Sequence, residues 1–286
     1  MIGDTVNVGA RVEQLTKTTG DAIFTASQTV DALTTRPLGL TDRGPGSRAR
    51  SPRPRPPGAR PSVFGTRCAR RPYSSVMDRD QIFAAVADER RRVADLLDEL
   101  DDSQLATPSL CAGWDVKTVG AHLLSFLVEG TLKMTLLGVR RGSPDRAIDE
   151  LARRKAELPA GEIAAGLRSL ADHRYWRPPP QAPGLLAEVM AHSGDMRIPL
   201  GLDFAPDPRR TAVALDFLAG PVPIGLVPLL RLRGLRLRAT DMDREWGAGQ
   251  NIRGRAGMLL MAAVGRVPVF GELDGPGVSV LRRRSR

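Results

Sequence analysis

Hydrophobic and polar positions along this chain are weakly patterned at the start and strongly helical afterwards. From "MDRDQIFAAVADERRRVADLLDELDD" onward, Ile82, Val86, Val93, Leu96, Leu97 and Leu100 recur at helical spacing and predict a helix over about 78–101. Asp78 and Gln81 stand three apart ahead of that stripe, the spacing of a capping box. "TPSLCAGW" then reads as a turn-rich stretch ending in Trp114. Asp115 can cap a second helix through about Gly138, with Val119, Leu123, Phe126 and Leu127 on its apolar face. A third helix is expected over 145–171, bent or split at "PAGE" (159–162), because proline interrupts the hydrogen-bond ladder. A fourth covers "PGLLAEVMAHSGDMRIPLG" (183–201), with Pro183 near its first turn.

Shorter elements follow. "PRRTAVALDFLAG" reads as helix, and "LRLRGLRLRATD" (230–241) alternates apolar and basic positions as a half-exposed strand or hairpin does. "RGRAGMLLMAAVGR" (253–266) predicts another helix, and "GVSVL" (277–281) a short final strand. The fold class is therefore mainly α (α+β), with four long helices followed by a small mixed αβ part. The most apolar run, "FLAGPVPIGLVPLL" (217–230), is 14 residues long and holds three prolines. That is too short and too broken to span a bilayer, so no membrane partner is expected.

Charge changes the picture once it is located. The net charge of +10 suggests nucleic-acid binding, but residues 36–76 hold ten Arg against one Asp and account for +9 of it. This Arg- and Pro-rich segment cannot bury a core and reads as a disordered linker, so no nucleic-acid partner is expected. A basic arm would instead predict affinity that falls steeply with salt and disappears when 1–76 is deleted. The two cysteines, Cys68 and Cys111, exclude a disulfide framework or a Cys-rich zinc module and suit a reducing cytoplasm. "MIGDTVN" lacks the basic and apolar regions of a signal peptide, which again points to a cytoplasmic location. Composition thus divides the chain into 1–35, a linker over 36–76, a helical part over 77–205 and a small αβ region over 206–286.

Candidate chemistry lies on two of the helices. In "VKTVGAHLLSF", His122 sits on the apolar stripe between Val119 and Phe126. On the fourth helix Glu188 and His192 stand at i, i+4 and Asp195 at i+7, all on one face. Two imidazoles and a carboxylate from facing helices suit zinc or a similar divalent ion with one open position. The same spacing also fits hydrogen-bonded core residues or a helix-surface pair. His173 is expected at the surface, Cys111 as a buried small residue and Trp114 as packing at a helix start. Arg197 is expected to pair with Asp195. There is no G-x-S-x-G, no GK[ST] phosphate loop, no H-E-x-x-H and no G-x-G-x-x-G.

The blocks "PSLCAGWDVKTVGAHL" and "E-x-x-x-H-x-x-D-x-R-x-P-L-G", with "LRLRATDMDREWGAGQNIRGRAGMLLMAAVGR" and "LDGPGVSVL", resemble the actinobacterial mycothiol-dependent maleylpyruvate isomerase family of the DinB-like superfamily. The resemblance covers about 78–282 and implies a DinB-like four-helix bundle. It further implies a divalent metal, usually zinc, held by His122, Glu188 and His192. In such enzymes the metal holds mycothiol and lowers its thiol pKa. The thiolate then adds to an activated alkene, giving isomerisation, or displaces a leaving group, giving transfer. A small electrophilic or anionic substrate is implied, and Arg266 is a candidate catalytic contact for a substrate carboxylate.

Residues 1–33 resemble the C-terminal stretch of a class III adenylate/guanylate cyclase domain, through "GDTVNVGAR". The resemblance makes Asn7 and Arg11 nucleotide contacts, vestigial here because the family's metal-binding carboxylates have no counterpart in this fragment. The fragment reads as a remnant, or as the product of a misplaced start with Met77 the initiator. Two further readings compete with the enzyme: a non-catalytic metal-binding relative and a partial cyclase with a nucleotide-related role.

Overall fold

The computed structural model describes residues 77–174 and 182–285, apart from 222, 224, 225 and 229. The cyclase-like fragment with Asn7 and Arg11, the Arg/Pro segment and Cys68 lie outside the described residues.

Helix α1 (Arg79–Glu99) begins at the expected capping box, Asp78 accepting from the Gln81 backbone and Gln81 from that of Asp78. A one-turn helix α2 (Asp102–Leu105) follows, with a second capping box between Asp101 and Gln104. Helix α3 (Val116–Arg141) starts at Asp115, whose carboxylate accepts from the Thr118 N–H, and stops at Gly142 in the left-handed conformation. The expected third helix splits into α4 (Pro144–Ala156) and α5 (Ala160–Ser169), with Pro159 as the N-cap of α5. Helix α6 (Ala182–Arg197) is buried on nearly every side over its last three turns, so it presents no solvated polar face there.

Two apolar cores meet on α6. Leu186, Ala187, Met190 and Ala191 join a core with the first turns of α1 and the C-terminal region. Val189 and Met196 join the other, with the later part of α1 and with α3 and α5. The bundle helices pack accordingly: α1 against α5 and α6, α3 against α4, α5 and α6.

The C-terminal region holds α7 (Pro208–Leu218), strands β1 (Leu235–Ala239), β2 (Glu245–Gly247) and β3 (Gln250–Gly254), and α8 (Ala256–Ala263). The strands form one sheet in the order β2-β1-β3, antiparallel on the β2 side and parallel on the β3 side. Leu235, Leu237 and Ala239 point inward and Arg236 and Arg238 outward, as the alternation predicts. A 3₁₀ segment (Val267–Glu272) and helix α9 (Gly277–Arg284) end the fold. "GVSVL" is thus helix rather than strand. Five residues with apolar positions two apart cannot distinguish the periods, and burying Leu281 completely while Ser279 stays exposed suits a helix turn. No described helix is long and apolar enough to cross a membrane.

Candidate metal centre

Helix spacing sets the site. Glu188, His192 and Asp195 leave one face of α6, and His122 meets them from α3. The ligand atoms of His122, Glu188 and His192 all lie within 4.8 Å of one another. His122 is 4 % exposed and packs between aromatic rings: Trp114 at 4.9 Å, Phe126 edge-on at 4.7 Å and the His192 ring at 4.8 Å. Trp114 is fixed in turn by Nε1 donating to Asp149 at 2.7 Å.

His192 is oriented from behind. Its Nδ1 donates to Asp195 Oδ2 at 3.0 Å, which leaves Nε2 as the nitrogen able to face a metal. Asp195 is fully buried and is clamped by Arg266, Nε to Oδ1 at 2.6 Å and Nη2 to Oδ2 at 2.7 Å. Cys111 Sγ donates to Asp195 Oδ2 at 3.0 Å, lies 3.7 Å from His192 Nδ1 and accepts from Arg266 Nη2 at 3.2 Å. The loop holding Cys111 is tied down by Ser109, whose backbone N–H and hydroxyl both donate to the Trp114 carbonyl, and by the Leu110 N–H on the Asp195 carbonyl.

These contacts set the charges. Burial alone would lower the His192 pKa, but the hydrogen bonds with Asp195 and Cys111 outweigh it and push it up to about 10. Burial would raise that of Asp195, but the bonds from Arg266 and His192 hold its carboxyl well below the usual carboxylate range. Without a metal, the cluster is an imidazolium and a guanidinium both bonded to one carboxylate.

The donor set fits a divalent ion at His122, Glu188 and His192: two imidazoles and one carboxylate. Cys111, His192 and Asp195 also bring ligand atoms within 4.8 Å of one another. There the Arg266 guanidinium already sits on both the sulfur and the carboxylate, and its charge opposes a second cation.

The three proposed metal ligands are therefore brought together, and Arg266 reaches the same cluster through Asp195. The expected Arg197–Asp195 pair does not form, since residues two apart on a helix leave different faces and Arg266 holds both Asp195 oxygens. Cys111 is more than filler, because its sulfur touches three charged groups. His173 is exposed, as expected. Only Asp195's place on the stripe hinted at the orienting contacts. Nothing local pairs it with Arg266, 71 residues away, or with Cys111, 84 residues away.

The model of the family described as the mycothiol maleylpyruvate isomerase N-terminal domain matches residues 86–197, which span every element of this centre except Arg266. Two solved structures are similar. The mycothiol-dependent maleylpyruvate isomerase is 16 % identical, with 66 % of this chain and 90 % of that chain covered at a TM-score of 0.47. A histidine-to-alanine mutant of a mycothiol-dependent maleylpyruvate isomerase is 14 % identical, with 70 % and 93 % covered at 0.49. No curated protein matches the chain.

Proposed function

From the match of residues 86–197 to the mycothiol maleylpyruvate isomerase N-terminal domain, we propose that this chain is a divalent-metal enzyme working with a thiol cofactor, as an isomerase or a transferase. The observation that carries this reading is the convergence of His122, Glu188 and His192, with His192 braced by Asp195. Bound at those three residues, a zinc or similar ion would deprotonate a coordinated thiol such as that of mycothiol and make it nucleophilic at neutral pH.

The chain's own groups prepare for that chemistry. Asp195 stays ionised and holds the proton of His192 on Nδ1, presenting Nε2. Arg266 keeps Asp195 ionised and in place. Trp114 and Phe126 cover the His122 ring and keep water from it. Their positions hold the ligands ready before any ion arrives, which lowers the reorganisation that binding requires.

The test is elemental mass spectrometry on the purified full chain and on His122→Ala and His192→Ala, followed by incubation with mycothiol and maleylpyruvate. A stoichiometric divalent metal, lost from both variants, together with thiol-dependent turnover supports the proposal. A well-folded wild type that is metal-free after purification without chelators refutes it. Metal retained without turnover on any thiol-dependent substrate would leave a structural ion as the reading.

A further inference from the structure

The 106–115 loop places one residue beside each metal histidine. Cys111 touches the Asp195–Arg266 pair behind His192, and the Trp114 ring lies against that of His122. The loop's last corner is gripped from α4. Asp149 Oδ1 accepts from Trp114 Nε1 at 2.7 Å, and Arg153 Nη2 donates to the Gly113 carbonyl at 2.9 Å. These two α4 residues stand one turn apart and are joined, Arg153 Nε donating to both Asp149 oxygens at 3.0 and 3.1 Å. Ile148 and Ala152 bury the neighbouring face of α4 in the bundle core, so the grip comes from a fixed helix. The indole has little freedom in return. Trp114 is only 5 % exposed, and a buried indole N–H without an acceptor is costly, so the ring keeps the orientation in which Nε1 meets Asp149. Burial would raise the Asp149 pKa, but the bonds from Trp114 and Arg153 outweigh it and lower it, so the acceptor is a carboxylate at neutral pH.

We infer that Asp149, braced by Arg153, is a positioning residue of the metal centre: it fixes the Trp114 indole and, through that ring, the angle at which His122 meets a divalent ion. The inference deepens the proposed function and rests on its metal site at His122, Glu188 and His192. Two aspartates then serve the two histidines by different means. Asp195 orients His192 by a direct hydrogen bond, and Asp149 orients His122 through a ring whose centroid lies 4.9 Å away at an interplanar angle of 45°.

Two readouts on the full chain test it: zinc affinity by chelator competition, and the visible absorption of cobalt(II)-loaded protein, whose bands report ligand geometry. Asp149→Leu is expected to weaken zinc binding about tenfold, the lower end of the cost of losing support around a ligating histidine, and to alter the cobalt spectrum. Asp149→Asn keeps an oxygen acceptor for Nε1 and should restore most of both. Trp114→Phe keeps a ring but removes the N–H, so Asp149→Leu should change little further in that background. Unchanged affinity and spectrum in Asp149→Leu overturn the inference, as does an equal loss in the Trp114→Phe background. Should Asp149→Leu fail to fold, Arg153→Met, which strips the brace, decides by the same two readouts. A wild type that binds neither metal sinks the metal reading alone. The positioning is then read from the His122 ring-proton NMR shifts of metal-free protein, which the ring current of the nearby indole sets. A change in Asp149→Leu supports the inference, and unchanged shifts overturn it.

Discussion

Arg266 and Asp195 form a two-point ion pair, with both guanidinium donors within 2.7 Å of the two carboxylate oxygens. The pair ties the segment after α8 to the helix that carries Glu188 and His192. Because Asp195 is fully buried, the pair is worth most when one partner is removed. Arg266→Gln leaves a buried carboxylate with only His192 and Cys111 beside it. The expected loss is about 3–5 kcal/mol of folding stability. The double variant Asp195→Asn/Arg266→Gln should be less unstable than the two single losses summed, since it leaves no orphaned charge. Denaturant unfolding of the four proteins checks this, and additive losses would show that the pair is not coupled.

Asp195→Asn should separate orientation from ligation. The amide still occupies the position behind His192 but no longer attracts its Nδ1 proton with a full charge. The metal affinity should fall about 10- to 100-fold, the usual cost of losing a carboxylate behind a ligating histidine. Chelator competition measures it on wild type and variant. An unchanged affinity would mean that Asp195 is purely structural.

The same contacts give metal binding a pH dependence. With its pKa near 10, His192 must lose a proton before Nε2 can bind a metal. Apparent affinity should therefore rise about tenfold per pH unit through the neutral range and level off as pH approaches 10. For metal-free protein the sign is reversed. The folded-state pKa lies above the unfolded value of 6.5, so the His192 contribution is fully present below that value and lost as pH rises through about 10. Asp195 is depressed instead, so its contribution holds above the usual carboxylate pKa and is lost only in strong acid. Thermal melts of apo-protein between neutral and alkaline pH should show a decline that the metal-bound form shows much less.

What the sequence revealed was local. The Asp78–Gln81 capping box, the Asp115 cap, the split near Pro159 and the outward arginines of β1 are all set within a few residues, and all are present. Glu188 and His192 were legible for the same reason, since a one-turn offset fixes a shared face. The contacts of Arg266 and Cys111 depend on how α8 and the 106–115 loop dock onto α6, and no local pattern encodes that.

Gly194 shows how the core shared with the C-terminal region constrains the site. It stands between His192 and Asp195 on α6, and an added Cβ would lie 2.5 Å from Met261 Sδ and 2.9 Å from Phe204 Cζ. Met261 belongs to α8, five residues ahead of Arg266, and is fully buried, so whatever part of the relief its side chain does not take up moves α6 and α8 apart where Arg266 must reach Asp195. Gly194→Ala should cost about 1–3 kcal/mol through overpacking, despite alanine's better helix propensity. It should also weaken metal binding by loosening the clamp behind His192. Gly161→Ala is the control: it lies in α5 with nothing within 4 Å of an added Cβ, so it should be neutral or stabilise by up to about 1 kcal/mol. Denaturant unfolding and zinc titration of both variants check the pair. A Gly194→Ala protein as stable and as zinc-avid as Gly161→Ala would show that the α6–α8 contact yields freely and that the clamp does not depend on it.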